Sequence, residues 1–154
     1  MIKYLTTTDN SCAQFFIRIA LAVVIFPHGA QKAFGWFGGP GLQQTIQIFN
    51  ASGFSPLFTL LLVFFEVVGP VFLILGFMTR IWALGIGTAM TICMLKNHIQ
   101  HGFFMNWFGQ QQGEGFEFHI LLLGIALALL FKGGGRMSVD QSLTPKKKFM
   151  ALEH

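Results

Sequence analysis

Three side chains able to exchange protons or carry charge interrupt apolar stretches of this 154-residue chain: His28, Lys32 and Glu66. His28 and Lys32 are four residues apart, so a helix places them on one face. An acid such as Glu66, held away from water, needs a cation or its own proton, and His28 and Lys32 are the cations nearest to it in depth. Such a set can hydrogen-bond or protonate a carbonyl oxygen. His28 would be the donor and Glu66 the internal proton store, which makes these two the candidate catalytic residues. The same groups can equally form a buried polar knot that locks helices together.

Further groups gather where later apolar runs end or begin: Lys96 and His98, then Glu117 and His119. Lys32 and His98 would attract anionic or polar groups at the mouth of a site, with Glu117 orienting one of them. Trp36 and the Phe103–Phe104 pair would cover it. Other chemistries fail on spacing. Glu117 and His119 are two apart, about 200° around a helix, so both cannot face one site. The Glu-x-x-His pair of a di-iron bundle does not occur. His98 and His101 are a weak metal pair, because His101 precedes Gly102 and falls outside the helix, so no metal ligands are assigned. Cys12 and Cys93 fall near opposite ends of the molecule, too far apart for a disulfide, and no Cys-x-x-Cys supports dithiol exchange.

The elements that must position these groups follow from composition. Hydrophobic residues make up 53% of the chain and charged residues 10%, where a soluble domain carries about 25% charged. Nineteen Phe against one Tyr fits surroundings without water. The expectation is an all-α integral membrane protein. Four apolar runs, at about 12–34, 56–78, 81–97 and 116–131, predict a four-transmembrane-helix bundle. Residues 1–150 form one transmembrane domain, and 151–154 resemble a vector-tag remnant. No small-x-small cleavage site follows the first run, which therefore reads as a permanent span.

Between the first two spans, Leu42, Ile46 and Phe49 share one face among glutamines, which predicts a short interfacial helix. The aromatic segment from Gly102 to Gly109 folds back on the bundle or dips into the headgroups. With four spans, Lys3, Arg18, Arg80, Lys132, Arg136 and Lys146–Lys148 fall on one side and Lys32 and Lys96 on the other. The positive-inside rule then places both termini in the cytoplasm. Arg18 is expected to snorkel toward that side without a partner. Dispersed charge excludes nucleic acid as a partner. Gly29 and Gly69 are expected at close helix contacts.

His28-Gly29, Lys32 and the run Phe34-Gly35-Trp36-Phe37-Gly38-Gly39-Pro40-Gly41 resemble the opening signature of the DoxX family of bacterial and archaeal membrane proteins. The likeness continues through Glu66-Val67-Val68-Gly69, Leu75 to Arg80, His98 with Gly102-Phe103, Gly115-Phe116-Glu117 and Gly135 to Asp140. It implies four transmembrane helices in the cytoplasmic membrane and a redox association, since relatives include subunits of thiosulfate:quinone oxidoreductase. A quinone is the ligand class it suggests. The expectation is an outward-facing pocket for a quinone-like or small oxidised molecule. Two alternatives stay open: a noncatalytic scaffold that recruits soluble redox proteins, or a small-solute or proton-linked carrier using Glu66 as relay. The lipid bilayer is the expected partner in each case, and self-association is compatible with all three.

Overall fold

Helix-forming apolar stretches end where glycine supplies a left-handed residue. Gly35 (φ 73°) closes the first helix and donates its N–H to the Gln31 carbonyl; Gly76 (φ 65°) closes the third. Ser55 starts that third helix by accepting a hydrogen bond from Phe58 N, with Pro56 at the first helical position. The computed structural model describes residues 5–8 and 10–144. The expectations for Lys3, Lys146–Lys148 and residues 151–154 lie outside the described residues.

The helices are α1 (Ala13–Phe34), α2 (Gly41–Ala51), α3 (Pro56–Leu75), α4 (Thr79–Cys93), α5 (Glu117–Lys132) and α6 (Val139–Leu143). A π-helical turn, Met94–His98, and a 3-10 turn, Ile99–His101, continue α4. No strand occurs among the described residues. At 22 and 20 residues, α1 and α3 are long and apolar enough to cross a membrane. The four long helices pack in the cyclic order α1–α3–α4–α5, with α2 laid across α1 and α3. Leu21, Ala22, Ile25, Leu62, Leu73, Ile86, Leu122 and Leu129 fill the centre. Large apolar residues also face outward on all four helices, among them Phe16, Leu57, Leu84 and Phe131. Helices apolar all round need apolar surroundings on both sides.

At one end of the bundle Arg18 departs from expectation. It does not snorkel; it is fully buried. Its guanidinium donates to the carbonyls of Leu73, Ile74 and Met137. The first two belong to the last turn of α3, where the Leu73 carbonyl also accepts from Gly76 N at 3.1 Å, so a cation sits at the negative end of the helix dipole. Asp140 does the converse for α4: its carboxylate accepts from Met78 N at 2.8 Å and Thr79 N at 3.0 Å. Its own N–H donates to Gly76 O. Gly76 is required there, because a Cβ would collide with Ser138 and approach Arg18 Nη1. The turn between α3 and α4 is thus held by opposite charges from α1 and α6. Arg80 joins this end by donating to the carbonyls of Thr7 and Phe131.

Candidate functional site

At the other end α1 and α3 approach most closely where Gly29 faces Glu66. A Cβ on Gly29 would lie 2.5 Å from the Glu66 carbonyl oxygen, so only glycine fits. Pro70, inside α3, lacks the N–H that would bond that carbonyl. The backbone contact fixes where the Glu66 side chain starts. Lys32, one turn beyond His28, then reaches across: its Nζ lies 2.7 Å from Glu66 Oε2 and 3.4 Å from His28 O. Glu66 is 1% exposed and Lys32 21%. The second carboxylate oxygen, Oε1, is buried and has no hydrogen-bond partner.

Glu66 is one of the residues lining a cavity of about 260 Å³ between α1, α3, α4 and α5. His28 and Lys32 line one side, Glu66 another, and Asn97, His98 and His119 a third. Ile25, Met90, Cys93 and Phe118 make much of the apolar wall, and Phe49 of α2 contributes to it. Thr45 of α2 donates to the Lys32 carbonyl at 3.2 Å, which ties the short helix to the end of α1. On α2 the buried position is Thr45, with Phe49 turned partly inward and Leu42 exposed, so the inward face is rotated from the Leu42–Ile46–Phe49 stripe.

The π-helical turn widens the backbone at the end of α4 and brings His98 beside His119, with ring centroids 4.3 Å apart. His98 Nδ1 lies 3.0 Å from the Glu114 carbonyl. A carbonyl only accepts, so Nδ1 carries the proton, and in the neutral ring Nε2 is left as an acceptor. His119 is buried and its Nδ1 has no hydrogen-bond partner. Two residues lining this cavity, Glu66 of α3 and His119 of α5, therefore each carry a buried polar atom without a partner. Buried polar groups are ordinarily paired, so each of these two atoms calls for an explanation.

Of the residues singled out in the sequence, the fold brings together His28, Lys32, Glu66 and His98. It does not bring Trp36, Phe103, Phe104 or Glu117 to this cavity. Trp36 packs outside α1 against Phe34 and Phe26. Phe103 and Phe104 meet edge to face on a strap, residues 102–116, that joins α4 to α5. Glu117 anchors the strap: its Oε1 accepts from Met105 N at 2.9 Å and Trp107 Nε1 at 3.4 Å. His119, two residues on, turns into the cavity instead, as the helical phase requires. Asn97, Cys93 and His119 are not among the site residues that the sequence suggested. Their common signal was position near the ends of apolar runs opposite His28, which is informative only once the helix phases are known.

Both cysteines are free, and no group of three or more His, Cys, Asp or Glu suited to a metal ion occurs among the described residues. A family model described as DoxX matches residues 13–99, more than half of the chain. No curated protein and no solved structure matches it.

Proposed function

This chain belongs to the DoxX family, and from that premise we propose a four-span membrane protein whose polar cavity binds the carbonyl-bearing head of a quinone-like or small oxidised molecule. The observation that carries this reading is one cavity lined by His28, Lys32, Glu66, His98 and His119, of which Glu66 and His119 each keep a buried side-chain atom without a hydrogen-bond partner. A cavity of about 260 Å³ lies just below the usual range of about 300–1,000 Å³ for drug-sized ligands, which suits a single ring or a small solute.

The residues divide the work by their chemistry. His28, which lines the cavity and is itself exposed, and the Lys32 ammonium donate to carbonyl oxygen. Glu66 Oε1 and His98 Nε2 accept from a hydroxyl. Glu66, shielded from water and coupled to Lys32, holds or releases a proton within reach of that head. When bound, a quinone ring supplies reversible two-electron, two-proton redox chemistry. This chain's share is binding, orientation and proton supply.

The outward apolar surfaces of α4 and α5, which match those of α1 and α3, support four spans. Arg18, Arg80, Lys132 and Arg136 gather at the end away from the cavity. That end is assigned to the cytoplasm, with both termini, in a bacterial or archaeal cytoplasmic membrane. The cavity then faces outward and α2 lies in the interface.

The test is titration calorimetry with a tail-less benzoquinone, fully ring-substituted so that it cannot add to the Cys93 thiol. Purified wild type is expected to bind, and His119→Ala to bind about tenfold more weakly, the worth of one hydrogen bond. A wild type that does not bind leaves Glu66 and Lys32 as a structural lock and favours the scaffold reading.

A further inference from the structure

Beside the polar cavity lies a second, larger one, a groove of about 630 Å³ between the strap and α5. Phe103, Trp107, Ile120 and Leu121 wall it. Leu121 is 71% exposed and Trp107 78%, so the groove opens outward, toward the side that the other exposed apolar residues share. Its one charged residue, Glu117, already has Oε1 engaged by the strap. The groove presents apolar walls to a ligand, and the neighbouring cavity is lined by the polar residues His28, Lys32, Glu66, Asn97, His98 and His119.

Met105 and Phe118 belong to the walls of both. The two spaces therefore adjoin, separated by a methionine and a phenylalanine. Methionine, unbranched with three rotatable bonds, can swing aside without moving the backbone. The Met105 backbone is meanwhile held by Glu117, which keeps the strap in place while the side chain moves.

We propose that the site takes a two-part membrane molecule, with its carbonyl-bearing head in the polar cavity and its apolar tail in the strap groove. It enters sideways from the hydrocarbon past Met105 and Phe118. This inference rests on the reading of the polar cavity given above and adds the ligand's class and route. A water-soluble solute would use only the first space, and an ordinary lipid chain only the second. A molecule occupying both must be amphipathic, with its polar part small. Because lipid already solvates a tail, the groove contributes orientation and close packing rather than a hydrophobic driving force.

The probe is a fully substituted benzoquinone carrying an alkyl tail, with a photoactivated diazirine on the tail near the ring. It is applied to the full chain in lipid nanodiscs and the cross-links are mapped by mass spectrometry. Cross-links are expected to concentrate on Phe103, Trp107, Ile120 and Leu121, and to be lost when excess tail-less benzoquinone fills the polar cavity. Groove cross-links that persist under this competition, or cross-links spread evenly to Val71 and Leu127, overturn the two-part site while the polar-cavity reading stands. A tail-less compound that shows no calorimetric binding overturns both.

Discussion

Lys32 Nζ and Glu66 Oε2 are 2.7 Å apart, and the acid is far more deeply buried than the base. The pair is asymmetric in water as well as in sequence. Glu66 spends one oxygen on the ammonium and leaves the other buried without a partner, so on the proposed reading opposite edges of one carboxylate hold the fold together and receive a ligand.

Unequal losses on breaking that pair follow. Lys32→Met strands a carboxylate that is 1% exposed, and the expected cost is near the low end of about 3–5 kcal/mol. Glu66→Gln strands an ammonium that can still reach water, and about 1 kcal/mol is expected. Chemical or thermal unfolding in detergent, with the double variant completing the cycle, measures both. Equal losses would contradict the burial difference.

Gly29 and Gly69 separate in the same kind of measurement. A Cβ at Gly29 meets the Glu66 backbone, which cannot yield, whereas at Gly69 it meets the tip of Ile86 at 3.0 Å. Gly29→Ala is expected to cost about 1–3 kcal/mol through overpacking and to weaken ligand binding by displacing Glu66. Gly69→Ala should be nearly neutral. The reverse ranking of melting temperatures would place the closest helix contact elsewhere.

Arg18 supplies a test remote from the cavity. Its guanidinium serves three carbonyls on two segments, a fan that a lysine cannot reproduce. Arg18→Lys should therefore destabilise by about 2–3 kcal/mol despite keeping the charge. Asp140→Asn should cost about 1–2 kcal/mol, because only one amide oxygen remains for two backbone N–H groups. Neither change should alter the affinity for tail-less benzoquinone. Loss of affinity with full stability would connect the two ends in a way that packing does not account for.

Orientation is checked by membrane-impermeant thiol labelling of whole cells, with Cys12 and Cys93 replaced by serine. A cysteine at Gln111, on the strap, should react from outside, and one at Ser142, on α6, should not. The opposite pattern reverses the charge-based assignment.

Apolar run lengths located the four long helices because a helix that is apolar all round leaves its mark in every residue, independently of its neighbours. α1 and α3 begin and end within about three residues of expectation, since Pro56, Gly35 and Gly76 are local signals. The need of Glu66 for a cation at matching depth likewise narrowed its partner to His28 or Lys32, and the structure pairs it with Lys32.

What only the tertiary structure decided is which way the remaining groups face. Arg18 read as a snorkelling surface cation, because nothing near it in sequence reveals the α3 carbonyls and the Met137 carbonyl that enclose it. Glu117 and His119 were correctly incompatible as partners in one site, yet the choice between them depended on how α5 is rotated against α1 and α4. A rotation of about 100° per residue makes that choice invisible until neighbours are placed. The strap groove is more distant still from sequence. It exists because Glu117 draws Met105 and Trp107 back over α5, and a fold-back of that kind is decided by a few side-chain hydrogen bonds rather than by any period in the chain.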